Sequence, residues 1–302
     1  MIFGINLVNI VGMILVKVES WKIQDAGGVG DLLKGISVTG LKKFAMIVKR
    51  IGNKSKLAHK IISYFPDHIY YFEPFFGAGG LFFNKPKCKY NYLNDLDSEV
   101  YNLFMVIKDN ADEFKKQWEQ IPIHQDLFRY WKINKETDPV KKAIRFVFLS
   151  NISLYARGQT FRTRLGGNND SKILKGNLIK GVQFIQDVMF YNMDFRDFLN
   201  AFRKTIATQK DRVFIYNDPP YLDVDNNYPE GFKEKDLVDL FDILEGLECK
   251  WAVSEFENSK VLDLAKQRGL QVITVGERRS MNNRNVEILI INYNLKPKGL
   301  FY

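Results

Sequence analysis

The chain has few of the side chains that most often carry metal-dependent or nucleophilic chemistry. It contains two cysteines, Cys88 and Cys249, which lie far apart and without the spacing of a zinc site. Its three histidines, His59, His68 and His124, form no motif. We therefore expect no disulfide framework, no metal site and no histidine-based mechanism. The scarcity of cysteine fits a protein of the reducing cytoplasm.

Long apolar runs are also absent from the sequence. Residues 2–18 come nearest to one, but Asn6 and Asn9 interrupt them, and no basic residue precedes them as a secretory signal requires. Hydrophobic residues nevertheless make up 46% of the 302 residues, which is enough for a sizeable core. We expect a folded protein with no transmembrane helix and no membrane partner.

Acidic residues are too few to balance the basic ones, since 35 stand against 44 and the net charge is +9. Most of the excess falls between residues 139 and 181, where Asp170 is the only acid and the net charge is +8. The nine basic residues there are Lys141, Lys142, Arg145, Arg157, Arg162, Arg164, Lys172, Lys175 and Lys180. Such a cluster indicates a polyanionic partner, with a solvated basic face as the alternative.

Short apolar runs alternate with helical stripes from about residue 46 onward. Strands are predicted at 69–72, 90–94, 188–191, 213–216, 251–254, 271–275 and 286–293. This alternation predicts an α/β fold with a mostly parallel sheet. Residues 98–185 interrupt it and read as an inserted second domain between 46–97 and 186–302. Residues 1–45, rich in glycine and valine and without a clean period, read as an N-terminal extension.

A glycine-rich turn, Glu73-Pro74-Phe75-Phe76-Gly77-Ala78-Gly79-Gly80, follows the first predicted strand. Its glycines at 77 and 79 remove side chains where a backbone must approach a ligand closely. A dinucleotide fingerprint would have a third glycine where Phe82 stands. Asp95 follows Glu73 by about the sequence separation at which an acid ends the second strand and binds ribose hydroxyls, although a helix-capping or solvated turn acid is the alternative. A cofactor with a ribose and no diphosphate, such as S-adenosylmethionine, fits this pattern.

A second motif, Asp218-Pro219-Pro220-Tyr221, follows the strand predicted at 213–216 and is called the tetrapeptide below. The exocyclic amine of a base is a poor nucleophile because its lone pair is delocalised into the ring. The Asp218 carboxylate and the Pro219 carbonyl, which the successive prolines orient, can accept its N–H groups and draw that lone pair out. Tyr221 offers a ring on which an extruded base can stack. The alternative is a proline-rich turn with Tyr221 in the core.

The order of these motifs over residues 49–293 resembles that of the Dam-like, D12 class of DNA adenine-N6 methyltransferases. In this family a basic segment of the form K-W-x-G-G-K precedes the glycine turn, and here it reads Lys49-Arg50-Ile51-Gly52-Asn53-Lys54. The resemblance implies that Lys54 lies near the methionine part of the cofactor. Arg50 replaces the family's tryptophan, and its guanidinium can stack as well.

Further positions match the family one by one. Residues 73–79 match its E-P-F-x-G-x-G, and Asp95 matches its ribose-binding acid. Asp194-Phe195, after the strand at 188–191, matches a segment that flanks the cofactor adenine. The resemblance thus assigns a cofactor site to Arg50, Lys54, Glu73, Phe75, Gly77, Gly79, Asp95, Asp194, Phe195 and Asp218. It assigns catalysis to Asp218, Pro219, Pro220 and Tyr221.

The resemblance also implies a fold and a reaction. The fold is a Rossmann-like S-adenosylmethionine-dependent methyltransferase sheet with a mainly helical DNA-recognition domain inserted at 98–185. The reaction is methyl transfer to N6 of a flipped adenine at a specific site in double-stranded DNA, without a metal. Candidate DNA contacts are Lys141, Lys142, Arg157, Gln159, Arg162, Arg164, Lys172, Lys175, Arg278, Arg279 and Arg284. The three last arginines are assigned to the loop between the final two strands.

Several alternatives stay open at the level of sequence. Cytosine-N4 methylation uses similar chemistry, although the order of motifs favours adenine. A DNA-binding protein that keeps the fold without activity is a second reading, and a protein or RNA methyltransferase is a third. The target sequence does not carry over from the family. A cognate restriction endonuclease is a further candidate partner.

Overall fold

The computed structural model describes residues 48, 54–154, 158–162, 184–222, 231–279 and 284–295. The predicted N-terminal extension, 1–45, lies outside these residues. Within the described chain, seven strands form one sheet in the order β3-β2-β1-β4-β5-β7-β6. The strands are β1 (Tyr70–Glu73), β2 (Tyr90–Asn94), β3 (Met189–Tyr191), β4 (Val213–Asn217), β5 (Lys250–Phe256), β6 (Gln271–Arg279) and β7 (Arg284–Ile291).

Helices cover both faces of the sheet. Those described are α1 (Ala58–Ile62), α2 (Ser98–Asp109), α3 (Ala111–Gln120), α4 (Gln125–Ile133), α5 (Pro139–Ile152), α6 (Phe195–Ala201), α7 (Arg203–Thr208), α8 (Glu234–Glu245) and α9 (Ser259–Gln267). Short 3-10 turns occupy Lys54–Lys56, Phe82–Asn84 and Lys210–Arg212. Among the residues described, no helix is both long enough and apolar enough to cross a membrane.

The sheet and its flanking helices confirm the predicted α/β class. The order of the strands reverses at the centre of the sheet, between β1 and β4. β1 pairs in parallel with β2 on one side and with β4 on the other, and β4 pairs in parallel with β5. All five residues of β4 are buried, as expected for a central strand covered on both faces. Because the chain runs outward from β1 to β3 and then restarts at β4, a crevice opens at the carboxyl ends of β1 and β4.

The last two strands depart from the parallel pattern. β7 pairs antiparallel with both β5 and β6. β6 and β7 also extend further toward the turn between them than predicted. Arg279 lies opposite Arg284, and Arg278 lies opposite Asn285. The prediction that these three arginines lie in the loop is therefore wrong. Phe256, the last residue of β5, pairs with Glu287. The hairpin therefore extends beyond the carboxyl end of β5.

Successive side chains of the strands pack into two buried hydrophobic clusters, one on each face of the sheet, among the described residues. Tyr71 and Phe214 face one cluster, which also holds Phe104 of α2 and Phe148 of α5. The neighbouring residue Phe72 faces the other cluster, together with side chains from α6, α8 and α9. Helices α2 to α5 fill residues 98–152 of the predicted insertion and share the first cluster with the sheet. Residues 163–183 of that insertion lie outside the described chain.

Two glycines with left-handed backbone serve different structural purposes. Gly269 has φ +64° and ends α9, with its N–H donating to the carbonyl of Lys266, as predicted for a helix C-terminus. Gly79 has φ +67°, and a Cβ added there would lie 2.6 Å from ring atoms of Phe76 and Phe83. Gly79 is therefore required for packing as well as for its backbone angle.

We expect Gly79→Ala to lower the free energy of unfolding by about 2–5 kcal/mol, because left-handed strain of roughly 1–2 kcal/mol and overpacking of about 1–3 kcal/mol act together. Gly269→Ala is the matched control, since nothing lies within 4 Å of its added Cβ. It should lose only the first contribution. Equilibrium urea denaturation measures both, and equal losses would contradict the packing role of Gly79.

Candidate active site

The two sequence motifs meet at adjacent strand ends. The glycine turn follows β1 and the tetrapeptide follows β4, and these strands pair directly, with Phe72 opposite Ile215. Both motifs therefore lie at the central crevice, on the carboxyl edge of the sheet.

The turn after β1 is fastened to Asp95, at the end of β2. Asp95 is buried, and its Oδ2 accepts the N–H of Gly77 at 2.6 Å while its Oδ1 accepts the N–H of Asp97 at 2.9 Å. Gly77 has φ +56°, and nothing lies within 4 Å of a Cβ added to it. The turn therefore has free space beside Gly77, whereas Gly79 packs against the rings of Phe76 and Phe83. A carboxylate can accept several donors at once, hydroxyl groups included.

Asn94, which the sequence analysis did not single out, organises this edge. Its amide nitrogen donates to the carbonyl of Pro74 at 3.0 Å and to that of Met193 at 2.9 Å. Its carbonyl oxygen accepts the N–H of Met193 at 3.1 Å. One buried amide therefore joins the end of β2 to the segments after β1 and β3. The only sequence signal for it is a polar residue at the end of an apolar strand.

A cavity of about 660 Å³ opens at these strand ends, a volume in the usual range of small-molecule sites. Phe75, Phe195 and Phe232 line it, with ring centroids 5.2 Å apart for Phe75 and Phe195 and 6.0 Å apart for Phe75 and Phe232. Asp95 and Pro220 line it as well. The structure thus brings one residue of the tetrapeptide, Pro220, to the same cavity as four of the predicted cofactor residues, Phe75, Asp95, Asp194 and Phe195. Phe232 was missed because it belongs to no motif recognised in the sequence.

The wall of the cavity at Asp194 and Phe195 is held by Arg196. Asp194 caps α6 by accepting the N–H of Arg196 at 2.8 Å, and the Arg196 guanidinium pairs with its Oδ2 at 3.2 Å. The same guanidinium lies 4.4 Å from the centroid of the Phe195 ring. It also pairs with Asp239 of α8 at 2.8 Å. Arg196 therefore ties this wall to α8, which follows Phe232 in the chain.

Lys54 lies at the centre of a buried polar network beside the tetrapeptide. Its Nζ is 2.6 Å from Asp218 Oδ1 and 3.1 Å from Glu287 Oε1. The Tyr221 hydroxyl lies 2.6 Å from the same Glu287 atom and 3.1 Å from the same Asp218 atom. Lys54 and Tyr221 therefore both contact the two carboxylates, and Asp218 is held in place through Oδ1.

The ring of Tyr221 is enclosed as well as its hydroxyl. Tyr221 is 8% exposed, with the Lys54 ammonium 4.3 Å from its ring centroid and the Phe256 ring edge-on at 4.4 Å. Sequence reasoning considered the ring alone and missed the contacts of the hydroxyl. Stacking of a base on Tyr221 stays a prediction.

Three glutamates in or near this network, Glu73, Glu255 and Glu287, are buried. Glu73 accepts the Tyr71 hydroxyl at 2.8 Å, and burial raises the pKa of Glu73 well above its usual value. Desolvation likewise raises the pKa of Glu255 to about 8. Glu255 and Glu287 are both fully buried and were missed from sequence. The sequence signal for both is an acidic residue within an apolar strand. Burying a carboxyl group there costs free energy, and such groups often occur at functional sites.

The predicted DNA-contacting residues are only partly within the described chain. Lys141 on α5 and Gln159 are exposed, and Lys142 and Arg162 are half-buried. Arg157, Arg164, Lys172 and Lys175 lie outside the described residues, as does the predicted cofactor residue Arg50. For Arg278, Arg279 and Arg284 only the backbone is described.

One member of the basic stretch has a structural role. Arg145 donates from Nε to the carbonyls of Trp131 and Asn134, at 2.8 and 2.9 Å, and pairs with Glu99 at 3.7 Å. The net charge of residues 139–181 therefore overstates the number of basic side chains that a ligand could contact. Within the described part of the chain, no group of three or more His, Cys, Asp or Glu is placed to hold a metal ion.

Comparison with known proteins gives a consistent result. A family model described as D12 class N6 adenine-specific DNA methyltransferase matches residues 51–281. The chain is 27% identical over 277 residues to the type II methyltransferase M1.LlaDCHI of Lactococcus lactis subsp. cremoris, covering 81% of this chain and 94% of the relative. It is 24% identical over 224 residues to the DNA adenine methylase of Escherichia coli (strain K12), covering 68% and 78% respectively.

Two further matches are partial or weak. The modification methylase StsI of Streptococcus sanguinis is 24% identical over 306 residues, which cover 89% of this chain and 46% of that protein. A solved rRNA methyltransferase, AviRa from Streptomyces viridochromogenes, aligns with a TM-score of 0.36 at 10% identity, over 78% of this chain and 82% of that one. A score this low supports no conclusion about fold or function.

The shared contacts of Tyr221 and Glu287 predict energetic coupling. Tyr221→Phe and Glu287→Gln should each cost about 1–3 kcal/mol of stability. The double variant should depart from additivity by about 0.5–3 kcal/mol, as measured by chemical denaturation. Tyr293→Phe is the control, because its hydroxyl donates to the Tyr64 carbonyl instead, and its cost should add independently to that of Glu287→Gln. Additivity in both pairs would show that the Tyr221 hydroxyl does not engage Glu287.

Proposed function

The chain belongs to the D12 class of N6 adenine-specific DNA methyltransferases, and we propose that it methylates an adenine flipped out of duplex DNA, in the crevice between β1 and β4. The observation that supports this site most strongly is that the tetrapeptide adjoins the cavity. Pro220 lines the cavity, while Asp218 beside it is held by Lys54 and Tyr221. Acceptors for an amine and space for a cofactor therefore lie next to each other.

The residues around the cavity fit S-adenosylmethionine as the methyl donor. When bound, this cofactor supplies an electrophilic methyl group on a sulfonium. Phe75, Phe195 and Phe232 offer an apolar aromatic enclosure of the kind that holds a purine. Asp95 is placed to accept ribose hydroxyls, and the side-chain-free face of Gly77 allows close approach to the backbone.

The chemistry assigned to the protein is positioning and hydrogen-bond acceptance. The Asp218 carboxylate and the Pro219 carbonyl accept the N6 hydrogens, which localises the lone pair on the nitrogen. Lys54 and Tyr221 hold Oδ1 of Asp218 in place, so the acceptor needs little rearrangement when the nitrogen gains the methyl group and positive charge.

Asp218→Ala should abolish nearly all methyl transfer, because the amine loses an acceptor. The protein should still fold, since Lys54 keeps Glu287 at 3.1 Å. Asp211→Ala, an exposed acid before the amino end of β4, is the control and should retain full activity. The measurement is incorporation of labelled methyl groups into DNA. Activity of Asp218→Ala above about a tenth of wild type, roughly 1.4 kcal/mol of barrier, would contradict the assigned role.

Charge supports double-stranded DNA as the bound partner. Lys141 is exposed on α5, and the β6–β7 hairpin, whose strand ends carry Arg278, Arg279 and Arg284, extends past the carboxyl end of β5. The hairpin therefore reaches beyond the same edge as the tetrapeptide. Basic side chains there can contact phosphates and orient the duplex without reading its sequence.

Lys141→Ala should weaken duplex binding equally for all sequences and lower the slope of log affinity against log salt by about 1, because one phosphate contact is lost. Lys210→Ala is the control. Lys210 lies before the amino end of β4, at the opposite edge of the sheet, and pairs with Glu248 at 3.1 Å. Binding isotherms at several salt concentrations measure both, and equal slopes for Lys141→Ala and wild type would remove Lys141 from the DNA surface.

Three finer assignments complete the proposal. Adenine is favoured over cytosine by the family, and weighing the nucleosides of methylated DNA separates N6-methyladenine from N4-methylcytosine. The names of two relatives, a type II methyltransferase and a modification methylase, support a cognate restriction endonuclease as partner. A DNA substrate and two free cysteines support a cytoplasmic location.

A further inference from the structure

We propose that Glu255 is a positioning residue for methyl transfer: it anchors the main chain directly after the tetrapeptide and so sets where the Asp218 carboxylate and the Pro219 carbonyl lie. This inference rests on the role proposed above for the tetrapeptide. It assigns to Glu255 no contact with substrate or cofactor.

The geometry of Glu255 links β5 to the exit of the tetrapeptide. Its Oε1 accepts the N–H of Leu222, the residue that follows Tyr221, at 3.0 Å. Its Oε2 accepts the N–H of Phe256 at 2.6 Å. Both oxygens of one fully buried carboxyl group are therefore used to bind backbone, one on the strand and one on the catalytic segment.

The tetrapeptide needs such an anchor because its own backbone offers few donors. Pro219 and Pro220 have no N–H group, so neither can donate a backbone hydrogen bond that would fix the segment. β4 ends at Asn217, and Leu222 is the residue at which the tetrapeptide is held from its far side. Since the intervening peptide planes and the proline φ angles are stiff, holding Leu222 narrows the directions in which the Pro219 carbonyl can point.

Burying the carboxyl group of Glu255 at this position costs free energy. Desolvation raises the pKa of its carboxyl to about 8, so the strand strongly disfavours the charge that an acid carries in water. The neighbouring positions Val253 and Ile288 are apolar and fully buried. An apolar residue would pack there at lower cost but could not accept the N–H of Leu222. The acid is therefore explained by its bond to the catalytic segment.

The test is Glu255→Gln, which preserves shape but has a single accepting oxygen, so one of the two N–H groups faces an NH₂ group instead. Single-turnover methyl transfer, with enzyme in excess over duplex, should slow at least about tenfold. The dissociation constants for S-adenosylmethionine and for duplex DNA should stay within about twofold of wild type. Glu257→Gln, an exposed glutamate two residues along, is the matched control and should change neither the rate nor the affinities.

Glu255→Asp provides the second variant. It keeps both accepting oxygens on a side chain one methylene shorter, so its rate should fall between those of wild type and Glu255→Gln with the same intact affinities. If Glu255→Gln does not fold, the rate and affinities of Glu255→Asp decide the question.

Two results overturn the inference. One is a single-turnover rate within about twofold of wild type in Glu255→Gln. The other is a parallel loss of rate and of both affinities, which would indicate a general structural role. Asp218→Ala separates this failure from that of the proposed function: if it stays active the tetrapeptide assignment fails, and if it is inactive while Glu255→Gln is normal, only the positioning role fails.

Discussion

A buried ammonium group needs a carboxylate partner, and this requirement organises the edge of the sheet that carries the tetrapeptide. Lys54 is 2% exposed and lies within 3.1 Å of both Asp218 and Glu287. Lys54 precedes β1, Asp218 follows β4 and Glu287 belongs to β7, so one side chain joins three segments distant in sequence. Because removing one partner of a buried pair leaves a charge without compensation, the network favours a single arrangement of these segments.

The parts of this site that local pattern specifies could be predicted from sequence. The strand before the tetrapeptide was predictable because a fully buried central strand reads as an unbroken apolar run. A turn at Gly77 was predictable because glycine adopts a left-handed backbone without strain, whereas its role toward a ligand stays a prediction. Glu255 and Glu287 were not, since their partners Leu222 and Tyr221 lie 33 and 66 residues away. No local pattern distinguishes an acid with a distant partner from an acid that merely interrupts a strand.

The same limit explains the errors in the fold and in the charge argument. An apolar run such as β7 shows that a strand is buried but not its direction, so the antiparallel hairpin and its extension past β5 were not foreseen. A count of basic residues treats all of them alike. Arg145 shows the weakness of that count, because its guanidinium binds backbone carbonyls and Glu99 within the helical region. The phenyl ring of Phe232 reaches the cavity through a contact with Phe75, which lies 157 residues away in the sequence.

The tetrapeptide shows how a hydrogen-bond acceptor can be held rigidly in a segment that has few backbone donors of its own. Two prolines supply stiffness but remove two backbone donors. Besides the contact between Tyr221 and Asp218 within the tetrapeptide, other segments hold it: Lys54 at Asp218, Glu287 at Tyr221 and Glu255 at the following residue, Leu222. Burying those acids costs stability, as the raised pKa of Glu255 shows. Acceptors that are already in place require no reorganisation when positive charge develops on the amine nitrogen, whereas mobile acceptors or water would. The cost in stability and the proposed catalytic role therefore have one cause, the placement of carboxylates where the fold alone would favour apolar side chains.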